Sequence, residues 1–201
     1  MNDQVRTVSH GVLLPNGCHV VHGTAAAIKQ PFAELPVIMH ELHPGGGVPF
    51  AGQFGFIPFR QEFRLPRHIH VGTDGVTLLP ERILVVGGVA LVELNGEIMI
   101  IAPGTLIDIP PGVPHTWTAC PPGIALPDDT CSDGSFLMIY DYAAPTNFFP
   151  TASTASVATI AGYQPHTGDI EAIRFPRLDR HQVTTRAGLV WNREIRSAAT
   201  R

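Results

Sequence analysis

Cysteine is scarce in this chain, charge is sparse and no long apolar run is present, and each shortage closes off a class of protein. The three cysteines, Cys18, Cys120 and Cys131, stand at no metal-knuckle spacing. So thin and odd a set points to a reducing compartment and free thiols, with a Cys120–Cys131 bridge as the alternative. The longest apolar runs, such as "ILVVGGVALV", are broken by a glycine pair and fall short of a membrane span. The opening "MNDQVRTVSHGVLL" lacks the basic start and apolar stretch of a secretion signal. A cytoplasmic protein with no membrane partner is expected. A net charge of -4 gives no reason to expect nucleic acid. Seven of the 13 basic residues are arginines from Arg174 onward, interleaved with acidic residues, and read as a solvated face or a subunit contact.

Glycine and proline are abundant, 20 and 19 in 201 residues, and they punctuate short β-branched runs every eight to twelve residues or so. That texture is all-β, a barrel or a sandwich, in one domain of 21.6 kDa. "VALVELNGEIMIIA" reads as a hairpin, because Asn95-Gly96 supplies the two positive-φ residues of a type I′ turn. The core is expected over about residues 50–145, with an N-terminal arm at 1–49 and a C-terminal extension at 146–201 that packs back or onto a partner. "HPGGGVP" lacks the Lys-Ser/Thr ending of a phosphate loop and reads as a turn. No G-x-S-x-G elbow suggests a serine hydrolase.

In "RHIHVGTDGV", His68 and His70 are two apart, and on a strand they face the same way. Further on, "GTLIDIPPGVPHTWTA" places Gly104, Pro110, Gly112 and His115 in register with the second signature of the cupins, G-x5-P-x-G-x2-H-x3-N, with Ala119 at the last position. "HIH" followed by "ERILVVGG" is similar to the first signature, G-x5-H-x-H-x3-4-E-x6-G, through His68, His70, Glu81 and Gly88. Glu62 stands at the leading glycine, and ten residues rather than three or four separate His70 from Glu81. Asp74 lies at the usual spacing, but "VGTDGV" is a turn, where aspartate caps backbone. Glu81 opens an apolar strand and reaches Gly88 at the right interval, so "VGTDGVTLLP" reads as a loop insertion and Glu81 is preferred to Asp74 as the carboxylate.

The resemblance implies a cupin-type β-barrel, a double-stranded jelly roll, with His68, His70, Glu81 and His115 around a divalent transition metal. Three imidazoles and a carboxylate suit Fe(2+), with Mn(2+), Ni(2+) and Zn(2+) as alternatives. Pro110, Pro111 and Pro114 fix the approach to His115. Alternation puts Trp117 on the face of His115, and Ile83 and Val85 on the face of Glu81, as walls for a substrate. In "SFLMIYDYA", Met138, Tyr140 and Tyr142 share one face, and which face is interior stays open. Glu81 is a candidate catalytic residue, with Tyr140, or else Tyr142, as a proton donor, and Met138 and Tyr142 are candidate substrate contacts. Arg64, four before His68, is a candidate for an anionic substrate group. His40, Glu41 and His43 are placed at the barrel mouth or on a surface strand. The expected activity is an oxidoreductase, a non-haem iron dioxygenase taking dioxygen and a small aromatic or dicarbonyl/hydroxyketone substrate. A metal-dependent lyase, isomerase or cyclase, and a non-catalytic small-molecule binder, are the alternatives. A homodimer is expected from exposed sheet edges.

Overall fold

The computed structural model describes residues 6–8, 11–29, 39–42 and 52–197. Its strands are β1 (Arg6–Thr7), β2 (Val12–Leu13), β3 (His19–His22), β4 (Ala27–Lys29), β5 (Met39–Glu41), β6 (Gln53–Arg60), β7 (His68–Gly72) and β8 (Glu81–Gly88). There follow β9 (Ala90–Leu94), β10 (Glu97–Ile101), β11 (Thr105–Ile109), β12 (His115–Ala119), β13 (Ser135–Tyr142) and β14 (Thr146–Pro150). A short helix α1 (Arg180–Arg186) precedes β15 (Gly188–Trp191) and β16 (Glu194–Ser197). No described helix is long and apolar enough to cross a membrane.

Two seven-stranded sheets carry the fold. The first runs β1-β2-β3-β11-β8-β13-β6 and the second β14-β7-β12-β9-β10-β15-β16. Every pairing is antiparallel except β10 with β15. From β6 to β14 the chain passes from one sheet to the other at every connection except the β9–β10 hairpin, which is the jelly-roll order that the cupin resemblance implies. Among the described residues the sheets remain separate ladders rather than one closed barrel.

The expected turn appears in place: Asn95 and Gly96 have φ of 56° and 90° between β9 and β10. β8 shows the alternation read from its sequence, with Glu81, Ile83 and Val85 buried and Val86 exposed. The inner faces meet in one core around Ile83, Val92, Ile107, Trp117, Phe136 and Met138. The sheets reach well beyond residues 50–145. β3 pairs with β11, and β14, β15 and β16 extend the second sheet, because edge strands at both ends of the middle segment offer unpaired backbone.

A second apolar cluster covers the outer face of the second sheet, where Leu91, Ile100, Leu189 and Cys120 pack under Phe175, Leu178 and Val183. The C-terminal extension therefore packs back, as one of its two expected roles. Asp179 caps α1 in a capping box with Gln182, which turns the chain at the edge of this cluster. All three cysteines are free thiols.

Candidate metal centre

His68 and His70 lie on β7, both turned inward, and His115 opens β12 directly opposite His68. Their ligand atoms all lie within 4.8 Å of one another, a triad able to hold a metal ion. Glu81 comes from the other sheet, at the start of β8, and its Oε2 lies 3.3 Å from His70 Nε2 and 3.0 Å from His115 Nε2. The site thus straddles the two sheets. All four side chains are at most 3% exposed.

Local chain geometry sets the ring orientations. His68 Nδ1 lies 2.7 Å from the Pro66 carbonyl, and His115 Nδ1 lies 2.9 Å from the Val113 carbonyl, each two residues back. A carbonyl only accepts, so each Nδ1 carries the proton and, in the neutral ring, each Nε2 keeps its lone pair for the site. The proline-bounded turn before His115 depends on Gly112, whose φ is 77° and where a Cβ would lie 2.1 Å from the Val157 carbonyl.

The arrangement leaves acceptors facing acceptors. His115 Nε2, His70 Nε2 and Glu81 Oε2 are buried and form no hydrogen bond despite their closeness. Burial, and then the other two rings, holds the His68 pKa well below its ordinary 6.5, and burial lowers that of His70. Burial pushes the Glu81 carboxyl up, but His70 and then His115 outweigh it and hold it below the usual carboxylate range. The Glu81 carboxylate and the Nε2 lone pairs of His68 and His115 form a donor set for a cation, which His70 joins in the tautomer that leaves its Nε2 unprotonated. The two Glu81 spacings fit a shared ion: donors about 2.1 Å from one ion are about 3.0 Å apart at right angles and about 3.4 Å apart at tetrahedral angles.

Asp74 is not near this set. It lies in the exposed turn after β7, where its carboxylate accepts from Val76 N, Thr77 N and Thr77 Oγ1 at 3.0, 3.0 and 2.6 Å. Those bonds, the Thr77 hydroxyl first, pull its pKa down to about 2. The insertion itself folds back on β7, with Leu79 N donating to the His70 carbonyl at 3.0 Å and Leu78 bridging to Val71.

Tyr142, rather than Tyr140, is the tyrosine nearest the carboxylate. The inner face of β13 is Phe136, Met138, Tyr140 and Tyr142, and Tyr142 pairs with Glu81 across the strands, its ring 4.6 Å from that of His70. Burial, and then the Glu81 charge, raise the Tyr142 pKa, so it stays protonated. Tyr140 sits two pairs further along, opposite Ile83 and Gly55. Trp117, Ile83, Val85 and Met138, expected as substrate walls, are at most 2% exposed and pack against one another in the core, forming a floor rather than an opening.

Arg64 is elsewhere, because its guanidinium is used by the C-terminal segment. It donates to the Phe175 carbonyl at 2.8 Å and to Glu171 at 2.6 Å. His40 lies exposed on β5, 3.4 Å from the Gly23 carbonyl, beside the partly buried Glu41 of the same strand; His43 lies outside the described residues. One neighbour was missed by sequence reasoning: the Phe148 ring lies 4.8 Å from that of His68 and 5.0 Å from that of His70, and is half exposed. Its signal is the register of Phe148 with His70, readable only once β14 is known to pair with β7.

No family model and no curated protein matches the sequence. Among solved structures, a dTDP sugar isomerase from Desulfovibrio desulfuricans G20 is 17% identical over 74% of this chain and 94% of its own, with a TM-score of 0.43. A salicylate 1,2-dioxygenase from Pseudaminobacter salicylatoxidans is 15% identical over 47% of this chain and 24% of its own, at 0.35. The polyketide cyclase RemF from Streptomyces resistomycificus is 14% identical over 76% and 84%, at 0.33. Likenesses this distant assign no chemistry to the chain.

Proposed function

We propose that the protein is a metal-dependent enzyme, with His68, His70, Glu81 and His115 holding one divalent transition metal. The observation that carries this reading is the buried conflict of acceptors, with the Glu81 carboxylate 3.0 and 3.3 Å from imidazole nitrogens that have no hydrogen on that side or no partner there. A cation held between them would satisfy the carboxylate and the ring lone pairs together.

The preferred chemistry is oxidative, a non-haem iron dioxygenase acting on a small aromatic or dicarbonyl/hydroxyketone compound. Iron(II) bound there would supply the redox step and orient dioxygen and substrate oxygens. The chain's own contribution is positional. Glu81 brings the one negative charge, and the carbonyls of Pro66 and Val113 hold the rings of His68 and His115 in a single tautomer. Tyr142 and Phe148 flank His70 with aromatic faces suited to a planar substrate. The apolar floor beneath excludes water.

A lyase, isomerase or cyclase is the second reading, and the pairing of a protonated Tyr142 with Glu81 favours it, since a donor beside a carboxylate can move a proton on an enolisable carbonyl. Metal analysis of protein purified without chelators, with oxygen uptake on catechols, hydroxyketones and diketones, decides. Iron with substrate-dependent uptake supports the oxidative reading. Metal without uptake moves the assignment to the second. Small-molecule binding that persists without metal in His68→Ala and His115→Ala overturns both in favour of a binding module.

A further inference from the structure

The two sheets differ in what covers their outer faces. The second sheet is apolar outside and is capped by the C-terminal segment. The first is apolar outside as well. Register pairs align Phe56 with Ile139, Ile139 with Leu84 and Leu84 with Leu106, a continuous row across four strands. Leu106 is buried, but toward β6 the row opens to solvent: Phe56 is 70% exposed and Phe54 72%, with Val86 and Leu137 also exposed beside them. We infer that a second copy of this chain packs on this face, sheet against sheet about a twofold axis, burying Phe54 and Phe56 of both copies.

Area, chemistry and geometry favour that occupant. Two phenylalanines exposed to this degree, with Val86 and Leu137, offer roughly 400 Å² of apolar surface per copy. With the usual polar rim, a twofold contact then buries about 1,300 Å² in all, the size of a stable interface. The flanking row, Asp141, Arg82 and Asp108, sets one arginine between two carboxylates, with Arg82 Nε donating to Asp108 at 2.7 Å, and supplies the polar rim of the contact. Face packing is favoured over addition of strand to strand. Pro58 in β6 brings no N–H to a ladder and marks β6 as an edge that resists further pairing.

Sedimentation equilibrium of the full chain over a dilution series tests the inference. The wild type is expected at twice the 21.6 kDa chain mass, and Phe54→Ser/Phe56→Ser at one chain mass with an unchanged far-UV circular dichroism spectrum. Leu137→Glu, on the neighbouring strand of the same face, should do the same and guards against a double variant that fails to fold. Phe63→Ser, exposed but beyond the end of β6, should leave the mass doubled. A wild type at one chain mass throughout overturns the inference, as does a doubled mass that survives in both folded face variants. Metal content does not enter this measurement, so its outcome is independent of the proposed chemistry.

Discussion

Glu81→Gln is the substitution that most sharply tests the site, because it reverses sign with the occupancy of the metal. The change keeps volume and removes one negative charge at a position 3% exposed, within 3.0 and 3.3 Å of two imidazole nitrogens. At an effective dielectric of about 20, a divalent ion about 2 Å from a unit charge gains a gross attraction on the order of 15 kcal/mol, most of it cancelled by desolvation. Loss of hydrogen-bond partners behind metal ligands already costs about 10–100-fold in affinity, so loss of the charged ligand should cost at least about 100-fold, about 3 kcal/mol. In the metal-free protein the amide can donate to the lone pair on His115 Nε2, which removes the conflict of acceptors, and the variant should be more stable than the wild type by about 1 kcal/mol. Asp74→Asn is the control. That residue is exposed and bonded only within its own turn, and it should leave affinity unchanged. Metal-stripped proteins are titrated with Zn(2+) or Mn(2+) against a chromophoric chelator, and their metal-free stabilities are read from urea midpoints. Unchanged affinity in Glu81→Gln, or comparable weakening in Asp74→Asn, refutes the reasoning; a variant that is merely misfolded would be less stable without metal, not more.

Three further outcomes follow from the geometry. Arg64→Met should cost about 1–3 kcal/mol of stability, by leaving the Phe175 carbonyl without its side-chain donor while Glu171 keeps Arg174, and metal affinity should stay within a few-fold; thermal melts and the same titration measure both. The metal-free chain should weaken on acidification. His68 and His70 are held below their ordinary 6.5, so the unfolded state takes up protons first, and the stability they contribute is present above about 6.5 and lost as pH falls below it, with a slope up to about 1.4 kcal/mol per pH unit for each ring. Urea midpoints flat between about pH 7.5 and 5.5 would contradict this. Native protein should expose one thiol to a disulfide reagent, the exposed Cys131, and three in denaturant, because Cys18 and Cys120 are buried and their pKa values are pushed up to about 12 by that burial.

What was legible in the sequence was local. The alternation of "ERILVVGG", the Asn95-Gly96 turn and the histidine spacing each depend on a few consecutive residues, and each appears as read. Glu81 was separable from Asp74 because a turn sequence explains one and a strand pattern the other. The residues whose surroundings were not legible depend on distant chain. Arg64 was aimed at a substrate because its partners, Glu171 and Phe175, lie more than a hundred residues on. Trp117 had the right face but the wrong neighbours, since alternation tells inside from outside and not a packed floor from a pocket wall. The insertion reads as a loop in the sequence, and its end pairs with the strand that carries His70, a contact no local pattern shows.

The division of ligands between the sheets gives the metal a structural consequence. His68, His70 and His115 belong to the sheet whose outer face is capped, and Arg67 N, one residue before His68, donates to the Ile173 carbonyl of that cap at 2.7 Å. Glu81 and Tyr142 belong to the other sheet. An ion held by both would join the sheets across the core, and without it the same atoms repel. Removal of metal should therefore destabilise the whole fold rather than a loop. For an ion present at about a hundred times its dissociation constant the linkage amounts to about 2.7 kcal/mol, and the relief of repulsion acts in the same direction. Hydrogen exchange with and without metal separates this from local ordering: protection should fall across β7, β8 and β12 together. Loss confined to the turn at Asp74 would mean that the ion does not bridge the sheets.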